Sequence, residues 1–266
     1  MGLLETIKTE YELCLNNPKG FVDKVESIST MLGLRGKNKL ISETCPVYIV
    51  GKYESTPFIF FGINPGHSDV NSPKEDKVAR SSWEGYQTLY RNFFSYFDEQ
   101  GFESPYYTIL RHFIDGLVST FGGIPIENKW KLFEKYITNV ELIPYHSRGI
   151  SPPPLLRENQ YRYLHERFSE SVEFISQYDP NLFIFNGSPW YNLLIKNNII
   201  TKFERFNLTE NFNLYFFKIN NIPSVLFDKF FQRHFWGITN QHRRTTIPQL
   251  IAKKYPMISL SSFHSI

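Results

Sequence analysis

Phe58-Ile59-Phe60-Phe61-Gly62-Ile63-Asn64-Pro65-Gly66 is the stretch on which the fold turns. Its first four residues are wholly apolar and are bounded by turn formers, the pattern of a strand buried on both faces. Strands of that kind belong to parallel sheets covered by helices on each side. The strand empties into a tight loop of glycine and proline, followed by His67 and Ser68. At the carboxyl end of a central strand in an open α/β sheet, such a loop lies where ligands bind. Glycine lets backbone amides come close to a ligand, and proline fixes the turn. Asn64 adds an amide oxygen that can hold and orient a water without being a strong base.

Outward from this strand, apolar runs alternate with helical spacing. Residues 2–34 predict two helices, separated by the breaker Asn16-Asn17-Pro18-Lys19-Gly20. Residues 46–53 read as a strand turning through Glu54-Ser55-Thr56-Pro57 into the central one. Residues 69–82 are polar and charged, and read as a mobile connection. Helical spacing resumes with Trp83, Tyr86, Tyr90, Phe93 and Phe97, and again with Ile109, Phe113 and Leu117. The cleanest helix is expected over 157–178, where Tyr161, Leu164, Phe168, Val172 and Ile175 form one apolar stripe. Further strands are expected at 137–144, 181–186 and 223–227. Strands alternating with helices predict a mainly parallel sheet in three α/β/α layers. The boundaries drawn are an N-terminal helical cap over 1–45 and one compact α/β domain over 46–266.

Composition narrows the function classes. The chain has 266 residues, 41% of them hydrophobic and 17% aromatic, enough for one large core. No run approaches the ~18 apolar residues that span a bilayer, and Met1-Gly2-Leu3-Leu4-Glu5 does not read as a signal peptide. A cytoplasmic protein without a membrane partner is the expectation. Cys14 and Cys45 are the two cysteines, which fits a reducing compartment and excludes a four-cysteine iron–sulfur cluster. No G-x-S-x-G elbow, H-E-x-x-H motif or phosphate-binding P-loop occurs. His146, His234 and His242 have no spacing of a known metal site. The net charge of +3 is small, so a nucleic-acid reading rests on local clusters of basic residues.

The pentapeptide 62–66 resembles the water-activating motif of the uracil-DNA glycosylase superfamily, most closely its mismatch-specific uracil/thymine branch. Ile137-Thr138-Asn139-Val140-Glu141-Leu142-Ile143-Pro144 resembles that branch's second strand, in which the asparagine reads the flipped base. Asn181-Leu182-Phe183-Ile184-Phe185-Asn186-Gly187-Ser188 resembles the third strand with its phosphate-gripping Gly-Ser loop. The fourth signature, His/Asn-Pro-Ser and a wedge, is replaced after Pro223-Ser224-Val225-Leu226-Phe227 by Asp228-Lys229-Phe230-Phe231-Gln232-Arg233-His234. The resemblance spans roughly residues 56–250 and implies a central four-stranded, mainly parallel sheet. It implies that Asn64 positions the attacking water and that Asn139 hydrogen-bonds the base edge. Gly62, Ile63, Pro65, Gly66 and His67 would line the base pocket, with Trp83 or Tyr86 stacking on the base. Gly187 and Ser188 would hold a flanking phosphate, and His234 would donate to the leaving base. The implied reaction requires no cofactor and no metal.

Two loops suit DNA contact. Tyr145-His146-Ser147-Arg148-Gly149-Ile150-Ser151-Pro152-Pro153-Pro154 sets His146, Ser147 and Arg148 beside a stiff proline run, which can press on a phosphodiester backbone at little entropic cost. Residues 229–244 interleave Lys229, Arg233, Arg243 and Arg244 with Phe230, Phe231, Phe235 and Trp236, a mixture suited to phosphate contacts plus a wedge. The expected partner is DNA, double- or single-stranded, bound by a monomer. The plain expectation for the substrate is uracil opposite guanine. The replaced fourth motif and the long loop after Asn139 also admit a bulkier pyrimidine, such as hydroxymethylated or glucosylated cytosine in phage DNA, and with it an antiphage role. A non-catalytic DNA-binding member of the fold is a further alternative. A nuclease is the weakest, with Glu141 and Asp228 as strand-end carboxylates but no acidic cluster for a metal.

Overall fold

A computed structural model of the chain describes residues 2–149, 156–230 and 237–261. At its centre lies the expected strand, β2 (Phe58–Gly62), following a two-residue strand β1 (Ile49–Val50). With β3 (Ile137–Glu141), β4 (Leu182–Asn186), β5 (Glu204–Thr209), β6 (Phe212–Ile219) and β7 (Ile222–Phe227), these form one sheet in the order β1-β3-β2-β4-β7-β6-β5. β3, β2, β4 and β7 run mutually parallel. β1 lies antiparallel at one edge, and β6 and β5 lie antiparallel at the other.

The sheet is therefore seven-stranded rather than four-stranded, although its middle is the parallel quartet built on the four apolar runs. The extra strands have a clear physical origin. Asn220 and Asn221 both have positive φ, 50° and 65°, and close the two-residue turn that folds β6 back on β7. Such turns need left-handed residues, which asparagine tolerates. β5 then covers β6 and presents exposed Glu204, Arg205 and Asn207 as a polar outer edge. A charged edge discourages pairing with another chain. On the other side the strand expected over 46–53 shrinks to Ile49–Val50, where Gly51 turns the backbone at φ 108°.

Side-chain alternation assigns the helices to the two faces. Phe60 packs on Phe113 and Phe58 on Phe121, toward α6 (Pro105–Thr120) and its C-terminal end. Phe61 stacks on Phe185 at 4.5 Å and meets Phe168 of α8 (Glu158–Ser176) and Trp190 on the opposite face. Burying a phenylalanine contributes about 1.5–3 kcal/mol, so these aromatic layers carry much of the core. At the start of α8, Gln160 Oε1 accepts from the Arg157 amide at 2.9 Å, and the Gln160 amide donates to Asn159 Oδ1 at 3.0 Å.

The N-terminal segment forms α1 (Leu3–Asn16) and α2 (Pro18–Met31), broken where the sequence predicts. Asn17 caps α2 by accepting from the Gly20 amide, and Pro18 begins the helix. These helices share the main core, with Leu3, Ile7, Tyr11, Phe21 and Val25 all buried. Thr6 donates to Glu170 at 2.7 Å, and Tyr145 donates to buried Glu10 at 2.6 Å. Cys14 and Cys45, remote in sequence, meet as reduced thiols 3.9 Å apart.

The polar stretch 69–82 is ordered, against expectation. It contains α3 (Ser72–Ala79), and Ser82 caps α4 (Trp83–Arg91) through the Gly85 amide. Asp76 anchors α3 by accepting from the Cys45 amide at 2.6 Å and from Arg80. Only Ala79 among its buried residues is apolar, so the stretch carries no hydrophobic stripe to read. After α4 come α5 (Phe93–Glu99), α6 and α7 (Lys129–Tyr136), then α9 (Ser188–Tyr191) beyond β4 and α10 (Ile247–Lys254) beyond β7. No helix among the described residues is long and apolar enough to cross a membrane.

Candidate active site

The loop after β2 is held against the segment that leaves β3. Leu142 and Ile143 amides donate to the Gly62 and Ile63 carbonyls at 3.2 and 2.8 Å. Further out, the Ser147 amide donates to Pro65 O and the His67 amide to Ser147 O, at 3.3 and 3.0 Å. The two strand exits thus continue as a laced pair of loops at the carboxyl edge of the sheet, where open α/β folds bind ligands.

Asn64 sits in this lacing with its amide orientation fixed. Its Nδ2 donates to Tyr145 O at 3.2 Å, Pro65 O at 3.1 Å and Ser147 Oγ at 2.8 Å. Two of those partners are carbonyls, which only accept, so the nitrogen must face them and Oδ1 must face away. Ser147 passes the chain on by donating to Gly149 O at 2.8 Å. Oδ1 of the half-buried Asn64 has no protein partner among the described residues and is left as an open acceptor.

The two histidines here differ in role. His146 is 4% exposed, and its Nδ1 donates to Gly66 O at 2.9 Å. Burial holds its pKa down to about 4, so the ring is neutral and ties the loops together rather than facing solvent. His67 stands 6.1 Å from it between ring centres, with a buried Nδ1 that has no partner and Nε2 3.4 Å from Asp69. Asp69 also accepts from exposed Arg148 at 2.6 Å.

Beneath the loop, β3 carries a second cluster. Asn139 and Glu141 are two residues apart on the strand and therefore share a face, opposite Phe60 and Gly62 in register. Asn139 is 5% exposed, and its Nδ2 donates to the Tyr107 hydroxyl of α6 at 3.1 Å. Its Oδ1 is buried with no partner. Glu141 is partly exposed, but its Oε2 is likewise buried and unpartnered. The carboxyl fills the space a Cβ on Gly62 would occupy, so it lies directly against the glycine. Burial pushes Glu141 up to about 8 and, on α3, Glu75 up to about 7. Both carboxyls act electrostatically on the Tyr107 hydroxyl, which burial raises well above its usual value. Buried polar atoms without partners are uncommon, and Asn139 Oδ1 and Glu141 Oε2 are two of them on one face of β3.

At the exit of β4, Gly187 has φ 109° and a Cβ there would strike the Phe230 ring at 2.5 Å. Its amide donates to Phe227 O at 2.9 Å, joining the β4 and β7 exits. Ser188 opens a polar cleft of about 390 Å³, lined also by Lys196, Arg205, Tyr215, Asp228 and Lys229. Asp228 is committed to Asn213, accepting from its Nδ2 at 2.6 Å.

The sequence-predicted residues thus divide. Gly62, Ile63, Asn64, Pro65, Gly66 and His67 lie at the carboxyl end of β2, laced to the segment beyond β3 that holds Ser147 and Arg148, whereas Asn139 lies mid-strand in β3, in register with Phe60. Gly187, Ser188 and Lys229 lie at the ends of β4 and β7. Trp83 and Tyr86 pack as core: their rings stack 5.3 Å apart, both touch Tyr11 of α1, and Tyr86 donates to Pro46 O at 2.7 Å. Phe231, Arg233 and His234 lie outside the described residues. Of the other basic candidates, Arg243 is fully buried and Arg244 donates to His112 at 3.1 Å. Sequence reasoning missed Glu75, Tyr106 and Tyr107, and noted Glu141 only as a strand-end carboxylate. Strand alternation from Asn139 was the available signal for Glu141; nothing in the polar run 69–82 singled out Glu75.

Among the described residues, no three His, Cys, Asp or Glu gather as metal ligands. No protein-family model matches the chain, and no curated protein matches it.

Proposed function

We propose that the chain is a monofunctional DNA glycosylase that flips out a pyrimidine and excises it, leaving an abasic site. The observation that carries this reading is Asn64: three acceptors hold its nitrogen and leave Oδ1 open at the sheet's carboxyl edge. A water donating to Oδ1 would be oriented by an amide whose rotation is already fixed, which lowers the entropic cost of attack. Cleavage of a glycosidic bond builds positive charge on the sugar and negative charge on the departing base. An enzyme acting on a base must first draw it from the duplex into a pocket. Asn139, with a buried Oδ1 that has no partner, supplies an acceptor for that base's edge. The Gly187–Ser188 turn beside the cationic cleft suits a neighbouring phosphate.

A non-catalytic DNA binder on the same fold is the alternative from another class. A binder gains nothing from an amide locked in one orientation with an open oxygen, which favours the enzyme. The discriminating experiment is base release from end-labelled duplexes, followed by alkaline cutting of abasic sites, with Asn64→Ala beside the wild type. The enzyme reading expects excision lost and DNA affinity kept in the variant. A protein that binds DNA but releases no base in either form is a binder.

A further inference from the structure

The mechanism so far leaves the Glu141 carboxyl without a task. It is placed on the Asn139 side of β3, against Gly62, with a buried Oε2 that no protein group satisfies. The titratable groups around it are Tyr106 and Tyr107 of α6, and Glu75 of α3 reaches Tyr107 as well. None of these is a cation, so among the described residues these neighbours do not favour the ionised carboxylate. A carboxyl kept neutral in such a place is a proton donor.

We infer that Glu141 is the acid of this site and that the excised base is cytosine-type, protonated at N3 by Glu141 as it leaves. The inference rests on the glycosylase reading. Uracil carries two ring carbonyls and departs as a stabilised anion, for which hydrogen-bond donors suffice. Cytosine has an amino group in place of one carbonyl, so its anion is a poorer leaving group and needs a proton. Asn139 matches this base as well. Its nitrogen donates to the Tyr107 hydroxyl, which leaves the buried Oδ1 as an acceptor without a protein partner, and the 4-amino group of a cytosine is a donor. The Glu141 carboxyl, two residues further along the same face of β3, would pair with N3 through its hydroxyl.

The step balances. The electron pair of the N1–C1′ bond passes to the base while the Glu141 proton moves to N3, and the base departs as a neutral tautomer. The water held at Asn64 gives its oxygen to C1′. Its released proton returns through solvent to the Glu141 carboxylate.

The test uses the whole chain on two duplexes, one carrying uracil and one carrying 5-hydroxymethylcytosine opposite guanine, between pH 5.5 and 9.5. The expected result is release of the cytosine-type base, with a rate that falls about tenfold per pH unit above about pH 8. Glu141→Gln, checked for melting and for DNA affinity, should lose at least about a hundredfold in that rate and lose the alkaline fall with it. Uracil release without cytosine-type release overturns this inference and leaves the glycosylase reading standing. Cytosine-type release that Glu141→Gln does not slow, or that shows no alkaline fall in the wild type, also overturns it. Release of neither base overturns this inference, and the glycosylase reading falls with it when thymine mismatches and glucosylated hydroxymethylcytosine also yield no abasic product.

Discussion

At the scale of single residues, the account depends on how two side chains are held. Asn64 is held through its nitrogen, so Asn64→Ala should lower excision by about a hundredfold or more while DNA affinity changes by less than about threefold. Single-turnover rates and titration of labelled duplex would measure the two separately. Equal loss in both would mean that Asn64 shapes the loop rather than the reaction. Glu141 and Glu75 predict a dependence of stability on pH. The unfolded carboxyls titrate at roughly 4.3, whereas the folded ones titrate at about 8 and about 7. Above pH ~4 the unfolded chain sheds these protons first, so their contribution to stability is complete below that pH and declines as pH rises toward 8. Glu141→Gln should therefore gain on the wild type in melting temperature as pH goes from 5 to 8. Parallel curves would show that the carboxyl is not buried as described. The placement of Asn64 in the β2 exit loop and of Asn139 in β3 was legible because short loop and strand signatures surround them. Trp83 and Tyr86 were misread because an aromatic at helical spacing looks the same in a core and over a base; only their contact with Tyr11 settles which.

At the scale of elements, the four apolar runs were legible because a strand buried on both faces needs an unbroken hydrophobic stretch. The hairpin β5–β6 was not, since β5 is exposed at the edge and lacks such a run. The signal that did exist was Asn220-Asn221, a pair suited to left-handed turns. Helix α3 stayed hidden because its anchors are Asp76 and Glu75 rather than apolar residues. The tightest element junction is the β4 exit. Gly187→Ala would put a methyl into Phe230 at a backbone angle that alanine resists, and should cost about 1–3 kcal/mol. Chemical denaturation would give that figure, and DNA affinity should weaken with it. A variant as stable as the wild type would show that the turn relaxes freely.

At the scale of the whole molecule, the sequence suggested an N-terminal helical cap over 1–45 and one compact α/β domain over 46–266. The structure gives both one continuous core, which includes α1 and α2. Six large apolar side chains from those helices are buried, and at about 2 kcal/mol each they match the 5–15 kcal/mol that stabilises a typical domain. Removing residues 2–34 should therefore abolish cooperative melting rather than trim an appendage. A truncated chain that still melts sharply near the wild-type temperature would restore the two-part reading. With a net charge of only +3, the proposed DNA binding would come from the local cations at the carboxyl edge of the sheet, and the reading predicts that it weakens steeply with added salt.

The central claim is that this edge releases a base through Asn64. The most direct measurement is base release from a panel of duplexes holding uracil, thymine mismatches, hydroxymethylcytosine and its glucosylated form. The account predicts abasic product from at least one duplex with the wild type and none with Asn64→Ala. Abasic product that persists unchanged in Asn64→Ala, or none from any duplex or single strand, would contradict it.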